Sequence, residues 1–262
     1  MGKYLGRLDL EFLNGKMTVK NYRLIPVNLK KEQEVNGERV RTYIEKEIPE
    51  DPELLEYLRP YQEKGDASLR ETLGFCDGLF EGDRAVIRKQ QTNLGTLVTK
   101  AQQEKTRSDI AISNSGGIRD SLGKDGKKEI SYKDVLIVHP FGNTLATVVL
   151  SGKELRDYLN VVLSKTPGSG AYPQVAGAVF TIQGGRITSV KIKGQEIQAN
   201  TNYKLTVSNY LASGGDGYPE LTGHPSYVNT GYNAAEALAD YIRARTPLKT
   251  EDYKPANGIP GG

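Results

Sequence analysis

The feature that most constrains the fold is the segment 207–221, VSNYLASGGDGYPEL. It begins as a β-strand, with β-branched and aromatic residues, and then breaks at glycines on both sides of Asp216. Glycines allow positive φ angles and a close approach of the backbone to a ligand. Asp216 is then a fixed acceptor between the rings of Tyr210 and Tyr218, an arrangement that suits a base or a sugar ring. A β-turn with ordinary core tyrosines accounts for the same residues. Other segments are therefore needed to choose between a ligand site and a structural turn.

Composition limits the class of protein. The 262 residues suffice for one large domain, or for one domain plus part of another. A net charge of +3, spread along the chain, gives no DNA-binding face, and no apolar run approaches the ~18 residues that span a bilayer. The single cysteine allows no intrachain disulfide, and two histidines are too few for a typical histidine-rich metal centre. We therefore expect neither a membrane span nor a nucleic-acid polymer as partner.

The first part of the chain predicts a β-hairpin and then a linker. Alternating apolar and polar residues flank Asn14-Gly15, a strong hairpin turn, within residues 4–28. A lone hairpin is marginally stable in water, so we expect a partner for its apolar face upstream. Since no secretory signal precedes it, we expect Met1 to be a start placed inside a longer gene. Residues 29–48 are charged and irregular, and we interpret them as an excursion or linker with a turn at Asn36-Gly37.

A helix is predicted for residues 50–65. Pro52 stands where a helix start tolerates it, and an apolar stripe follows at helical spacing. Pro60 is expected to kink or end the helix, and Gly65 to close it. A connector between domains and a plain surface helix fit this pattern equally well.

The chain from residue 66 onward predicts a mixture of strands and helices. The serine and glutamate at positions 151 and 154 match the S-x-x-E capping box of a helix start. The residues after 245 are expected to be loosely held. The predicted strands are DIAIS (109–113), VLIVH (135–139), 144–150 and several short ones between 175 and 207, and the predicted helices begin near Asn93, cover 151–163 and cover 232–245.

Three arginines stand where an anion could bind. Arg84 and Arg88 are four residues apart, so a helical turn would place both guanidinium groups on one face, where they can grip a phosphate or a carboxylate. Arg119 follows a small glycine-rich turn whose backbone N–H groups are a frequent anion site. A solvated charged face, with Glu81 and Asp83 as ion-pair partners, is the alternative for the first two arginines.

One aromatic residue, Phe141, stands in a proline- and glycine-rich turn rather than in an apolar run. An exposed ring in such a turn is a candidate for stacking on a base. Asn143 follows closely, and its side-chain amide can read a base edge. A structural plug is an equally good interpretation of Phe141 alone.

Together these motifs resemble the C-terminal domain of the metal-dependent 5′-nucleotidase family, with the bacterial periplasmic UDP-sugar hydrolases as its nearest branch. Each motif is weakly specific alone, whereas their ordered combination across residues 80–231 is highly specific. The opening residues 1–49 resemble the last strands of the family's metallophosphatase domain, and residues 50–65 resemble its interdomain helix. The matching motifs are EGDRAVIR with TNLG, NSGGIRD, ISYKDVLIVHPFGN, SGAYPQ, and VSNYLASGGDGY with YVNTG.

The resemblance implies a fold and a set of roles. It implies a mixed-sheet α+β domain with flanking helices over residues 66–262, layered α/β/β/α, which grips a nucleotide. The implied roles, carried over by matched motif, are phosphate contact for Arg84, Arg88 and Arg119, base stacking for Phe141 and Tyr210, and hydrogen bonds to base or ribose for Asn143, Gly170 and Asp216.

The chain departs from the family pattern in one respect. The family's two divalent metal ions and catalytic His–Asp pair belong to an N-terminal metallophosphatase domain, and the chain shows no such cluster of Asp, His and Asn. We therefore expect no catalytic or metal-binding residue in this chain, and we expect it to bind a nucleotide without hydrolysing it unaided. In the parent enzyme, we expect this domain to rotate about a hinge. The family also implies a periplasmic or secreted parent protein. The alternatives are a stand-alone nucleotide-binding protein and an independent catalyst that uses Asp120 or Asp216 with His139.

Overall fold

The computed structural model describes residues 3–35, 38–184 and 186–256. The chain divides into two compact units, Met1–Lys64 and Gly65–Gly262. Each unit is described by itself below.

The first unit opens with the predicted β-hairpin. Strand β1 (Tyr4–Leu13) pairs antiparallel with β2 (Lys16–Pro26), and the ladder closes at Leu13 opposite Lys16. The two turn residues have φ angles of 49° and 77°, the left-handed values that Asn and Gly adopt most readily. The hairpin prediction is confirmed.

The irregular backbone predicted for residues 29–48 is wrong. The segment forms a second antiparallel pair, β3 (Lys30–Val35) with β4 (Glu38–Tyr43). Cross-strand polar contacts accompany it: the Lys30 ammonium lies 4.4 Å from the centroid of the Tyr43 ring. Such a hairpin carries almost no apolar alternation, which is why its sequence resembles a linker. The predicted turn at Asn36-Gly37 lies outside the described residues.

Helix α1 (Pro52–Leu69) includes residues of both units. It starts where the sequence predicts, but it continues through Pro60 and past Gly65 to Leu69. Proline removes a single N–H donor, and the good helix formers on either side maintain the helix. None of its residues, all of which the structure describes, is buried.

The second unit is built on a mixed five-stranded sheet. Its strand order is β14-β8-β13-β6-β9, in which only β13 and β6 are parallel neighbours. A two-stranded and a three-stranded antiparallel sheet complete the β-structure. The strands are β5 (Thr72–Phe75), β6 (Ile110–Asn114), β7 (Glu129–Ser131), β8 (Thr144–Ser151), β9 (Pro173–Ala176), β10 (Ala178–Gln183), β11 (Arg186–Ile192), β12 (Gln195–Glu196), β13 (Asn202–Ser208) and β14 (Val228–Asn233).

Helices cover the sheet on both faces. The capping box predicted at Ser151 is present, with the Glu154 carboxylate accepting from the backbone N–H of Ser151 at 2.8 Å. The predicted mixed sheet with flanking helices is thus confirmed. The helices are α2 (Arg84–Ile87), α3 (Asn93–Thr106), α4 (Tyr132–Val138), α5 (Gly152–Leu163), α6 (Asn209–Ala212) and α7 (Ala234–Arg245).

Two apolar cores lie on opposite sides of the main sheet. On one side, α5 and the three-stranded sheet β10–β12 pack against residues of β6, β8 and β13 such as Ile112, Val148 and Leu205. On the other, α3, α4 and α7 form a second core with the β5–β7 pair. Among the described residues, every helix is too short or too polar to cross a membrane.

The strand predicted for VLIVH is wrong, because Val135–Val138 belong to α4 and His139 is the C-cap of this helix. Ser131 and Asp134 form a second capping box, in which each side chain bonds to the other's backbone N–H. Val135 and Val138, three residues apart, face the core, which is helical rather than strand spacing. The cap determines the structure here, against the β-propensity of the run.

The prediction of a loose tail after residue 245 is wrong as far as Tyr253. The backbone N–H of Leu248 donates to the carbonyl of Phe75 at 2.8 Å, and Leu248 is buried. The Tyr253 ring is also buried and meets Phe80 edge-on at 5.5 Å between ring centroids. Residues 257–262 lie outside the described part of the chain.

Candidate functional site

One cavity of about 470 Å³ gathers seven of the eight residues to which the motifs assign a role. The eighth, Arg84, does not line it. The remaining lining residues, Asn114, Gly116 and Gly117, belong to the turn 114–117 that the sequence predicts as an anion site. The lining residues are Arg88, Asn114, Gly116, Gly117, Arg119, Phe141, Asn143, Gly170, Tyr210 and Asp216.

Strand direction explains why these loops meet. Because β13 and β6 are parallel, their carboxyl ends lie at the same edge of the sheet, and the loops after them start there. Strand β8 is antiparallel to β13, with Leu145 opposite Ser208, so the loop before β8 reaches the same edge. Strand β9 is antiparallel to β6, with Pro173 opposite Asn114, and brings the loop before it as well. Four loops, distant in sequence, therefore converge on one cavity.

Asp216 is the best-anchored polar group of the cavity. Its backbone has a φ of 54°, and Gly214 and Gly217 in the same turn also have positive φ. One carboxylate oxygen accepts from the Asn114 amide at 2.6 Å, and the other accepts from the Tyr210 hydroxyl at 2.8 Å. Since each carboxylate oxygen can accept about two hydrogen bonds, both retain acceptor capacity for a ligand's hydroxyl groups.

Tyr210 and Phe141 supply two exposed rings, with 42% and 56% of each residue accessible to solvent. The hydrogen bond to Asp216 raises the pKa of Tyr210, and burial adds to this effect. Gly215 permits the close packing of Tyr210, because a Cβ there would lie 2.5 Å from the Tyr210 carbonyl oxygen and 2.6 Å from its ring. The Tyr210 hydroxyl is thereby fixed on the carboxylate, and the ring borders the cavity.

Tyr218 does not flank the cavity as the sequence predicts. It is 3% exposed, and its hydroxyl donates to the Ala171 carbonyl at 2.9 Å. Its ring meets Tyr158 edge-on at 6.5 Å, and burial raises its pKa well above the usual value. For this tyrosine, the interpretation as a core residue is the correct one.

The arginines form a cationic side of the cavity. Burial, and then the charges of Arg84 and Arg119, lower the pKa of Arg88. The Arg119 guanidinium carbon lies 5.7 Å from the centroid of the Phe141 ring, and the group donates to the Gly116 carbonyl at 3.3 Å. Clustered guanidinium groups of this kind favour a dianionic ligand such as a phosphate.

Glu81 and Asp83 do not pair with these arginines in the described structure. Asp83 caps α2, accepting from the backbone N–H of Ala85 at 2.7 Å. Glu81 accepts from the backbone N–H of Asp83 at 2.6 Å and from the Ser121 hydroxyl. The carboxylates are thus used in local backbone structure, and the cationic side keeps its charge.

A buried polar network fixes the end of α2. The Gln174 amide donates to the carbonyls of Ile87 and Gln90, both at 2.9 Å, and the Ser115 hydroxyl donates to Ile87 at 2.7 Å. Both residues are fully buried, and together they hold the backbone that carries Arg88. The sequence reasoning assigned no role to Asn114, Ser115 or Gln174. The signal available was their position within the NSGG and SGAYPQ motifs.

Two of the predicted site residues, Gly170 and Asn143, connect elements around the cavity through backbone hydrogen bonds. The Gly170 carbonyl accepts from the backbone N–H of Gly116 at 2.8 Å, and a Cβ at Gly170 would lie 3.4 Å from the Gly116 Cα. Asn143 lines the cavity, while its backbone carbonyl accepts from Ala234 at 2.9 Å. The Gly170 carbonyl therefore joins the loop before β9 to the turn after β6 through a backbone hydrogen bond.

The residues of the independent-catalyst alternative are not brought together. Neither His139 nor Asp120 lines the cavity, and Asp120 forms an ion pair with Lys124. Burial lowers the pKa of His139 to about 4, so its imidazole is neutral. No group of three or more His, Cys, Asp or Glu side chains in the described residues could hold a metal ion. We derive no catalytic step from this constellation.

Comparisons with known proteins agree with the motif pattern. Residues 71–223 match the family model described as the 5′-nucleotidase C-terminal domain. A 5′-nucleotidase of Vibrio vulnificus is 49% identical over 98% of this chain and 46% of its own length. Protein UshA of Escherichia coli is 44% identical over 98% of this chain and 46% of its own length.

A solved structure agrees as well. The 5′-nucleotidase precursor of Thermus thermophilus superposes with a TM-score of 0.62 at 31% identity, covering 93% of this chain and 47% of that one. The chain thus spans about half the length of the curated relatives it matches. The family model covers more than half of the chain, and this chain therefore belongs to the 5′-nucleotidase C-terminal domain family.

Proposed function

We propose that the cavity binds a nucleotide and that the chain is the substrate-binding and specificity domain of a 5′-nucleotidase or UDP-sugar hydrolase. One observation carries the proposal: seven motif residues, six from the four loops and Arg88 from the end of α2, line a single cavity with a cationic side and two exposed rings. A volume of about 470 Å³ lies within the range of small-molecule sites.

The rings account for recognition of the base. Phe141 and Tyr210 line the same cavity and are exposed, whereas aromatic rings with only a packing role are buried, as Tyr218 is. We propose that the base inserts between them, with each stack contributing about 1 to 3 kcal/mol, by analogy with other base–aromatic contacts. Asn143 and the backbone at Gly170 then meet the base or ribose edge.

The polar groups account for the rest of the ligand. We propose that the free lone pairs of Asp216 accept from ribose hydroxyls and that Arg88 and Arg119 contact phosphate, with Arg84 adding to the positive field. The exposed rings would thus bind the base of a nucleotide, and the cationic side of the cavity would bind its phosphate.

We further propose that an N-terminal metallophosphatase domain, with two divalent metal ions, acts on the nucleotide held here. The relatives are about twice as long as this chain. Residues 1–49 would then be the last strands of that domain, which fits the exposed apolar residues of β1 and β2 such as Phe12 and Met17. We expect the chain alone to bind without hydrolysing, and its parent protein to be periplasmic or secreted. The stand-alone binding protein has no observation in its favour.

Calorimetric titration with adenosine and AMP tests the proposal. The chain is expected to bind both ligands, and the Phe141→Ala/Tyr210→Ala double variant to lose both. Tyr61→Ala, which removes an exposed ring on α1 outside the cavity, is the matched control and should bind normally. If the unsubstituted chain binds neither ligand at millimolar concentration, the proposal fails. If the double variant binds as well as the control, the stacking roles are wrong.

A further inference from the structure

Residues 165–172 form the loop between α5 and β9, and this loop contacts three other loops around the cavity. The backbone N–H of Gly168 donates to the Arg88 carbonyl at 2.7 Å. The Gly170 carbonyl accepts from Gly116 at 2.8 Å, and the Lys165 ammonium donates to the Gly217 carbonyl. One short segment therefore links the cationic side of the cavity to the loop that carries Asp216.

The contact at Lys165 is made by a charged side chain. Its ammonium lies on the Gly217 carbonyl and 5.7 Å from the centroid of the Tyr218 ring. The Tyr218 hydroxyl in turn bonds to the Ala171 carbonyl at 2.9 Å, within the same 165–172 loop. Charge-assisted hydrogen bonds are stronger than neutral ones, so Lys165 is a substantial anchor. Lys165 itself does not line the cavity.

The Asp216 loop needs such an anchor because its backbone is permissive. Gly214, Asp216 and Gly217 all have positive φ angles, between 54° and 87°. A glycine-rich turn has many accessible backbone conformations, and only outside contacts select one of them. The loop's own bonds, such as Gly217 N–H to the Gly214 carbonyl at 3.1 Å, are short-range. Lys165 therefore fixes the backbone next to Asp216, beside the bonds that Asn114 and Tyr210 make to its carboxylate.

We propose that Lys165 is a positioning residue for ribose recognition, holding the Asp216 carboxylate where it accepts from ribose hydroxyls. This inference rests on the proposed function, because it requires Asp216 to face the ribose. It assigns Lys165 no contact with the ligand, and its influence should reach only those ligands that use Asp216.

The test compares two nucleosides that differ at the ribose. Adenosine and 2′,3′-dideoxyadenosine share the base and the 5′-hydroxyl group, but the second lacks the 2′- and 3′-hydroxyl groups that Asp216 is proposed to bind. Lys165→Met should bind adenosine about fivefold more weakly, the usual effect of one hydrogen bond, and dideoxyadenosine unchanged. Lys165→Arg keeps a charged donor and should restore most of the loss. Lys153→Met, an exposed lysine on the preceding helix α5, is the matched control.

A double-mutant cycle separates positioning from general stability. In an Asp216→Asn background, Lys165→Met should cause no further loss of adenosine affinity, because both substitutions act through one group. Additive losses, equal losses for both nucleosides, or no loss at all would overturn the inference while leaving nucleotide binding intact. Failure of the unsubstituted chain to bind either nucleoside would overturn the proposed function as well. Thermal melting of each variant verifies that it is folded.

Discussion

The side-chain amide of Asn114 donates a hydrogen bond of 2.6 Å to the carboxylate of Asp216, across 102 residues of sequence. It joins the last residue of β6 to the loop after β13, and these two strands are parallel neighbours in the main sheet. Asp216 is thereby oriented by two bonds, one from Asn114 and one from Tyr210.

Asn114→Ala should therefore weaken adenosine binding. The substitution removes one of the bonds that orient the carboxylate, and the expected loss is about five- to tenfold in affinity, close to 1 kcal/mol or slightly more. Titration calorimetry measures it. Asn202→Ala, an exposed asparagine at the opposite end of β13, is the matched control. Unchanged affinity in Asn114→Ala would show that the other contacts of this loop orient Asp216 without Asn114.

Gly215→Ala should damage the site through sterics alone. The new methyl group would lie 2.5 Å from the Tyr210 carbonyl oxygen, which is backbone and cannot move aside cheaply. We expect a loss of about 1 to 3 kcal/mol in the free energy of unfolding and at least tenfold weaker nucleoside binding. Urea unfolding and calorimetry measure the two effects. Gly223→Ala, where a Cβ would meet nothing within 4 Å, should change neither.

Arg88→Ala should separate nucleotide binding from nucleoside binding. If Arg88 contacts phosphate, AMP affinity should fall about tenfold and become less sensitive to salt, while adenosine affinity stays within about twofold. Calorimetry at two ionic strengths provides both readouts. Arg186→Ala, an exposed arginine on β11, should leave both ligands unaffected. An equal loss for adenosine and AMP would argue that Arg88 supports the cavity wall instead.

The buried His139 should make the fold sensitive to acid. Burial lowers the pKa of His139 to about 4 from an ordinary value of 6.5, so the unfolded chain binds this proton first as the pH falls. The contribution of His139 to the free energy of unfolding is therefore fully present above about pH 6.5. It is lost as the pH falls to about 4, and the loss amounts to about 3 kcal/mol. Below pH 4 both states are protonated, and the decline from His139 ends.

Urea unfolding across this pH range tests the assignment. His139→Phe replaces the imidazole with a ring that does not titrate, and it should flatten the slope between pH 6.5 and pH 4 by close to one proton. His224→Phe removes the other histidine and should retain the decline. An unchanged slope in His139→Phe would place the acid sensitivity in other groups.

Local chemistry made several elements predictable from sequence. Asn14-Gly15 specifies a hairpin and Ser151 with Glu154 specifies a helix start, since each signal is complete within a few residues. The VLIVH segment was mispredicted because the Ser131–Asp134 cap outweighs the β-propensity of the run that follows. Residues 29–48 were mispredicted because a polar hairpin shows no apolar alternation.

For the candidate site too, some features could be predicted from sequence and others could not. The glycine and aromatic motifs indicate which residues belong together, and the structure brings most of them into one cavity. Tyr210 and Tyr218 cannot be distinguished from sequence, because the short helix α6 and the turn after it determine which ring faces the core. The supporting contacts of Asn114 and Gln174 cross the fold, so only the folded chain reveals them.

The convergence of four loops at one sheet edge has a thermodynamic consequence. The loops lie before β8 and β9 and after β6 and β13, and the pairing of β6 with β13 joins segments far apart in the chain. Any partly folded form in which β13 has not paired with β6 has no assembled cavity. A ligand of this cavity therefore binds only the fully native unit and stabilises it by RT ln(1 + [L]/Kd), where [L] is the free ligand concentration. The change in melting temperature with ligand concentration thus measures how cooperatively the unit folds.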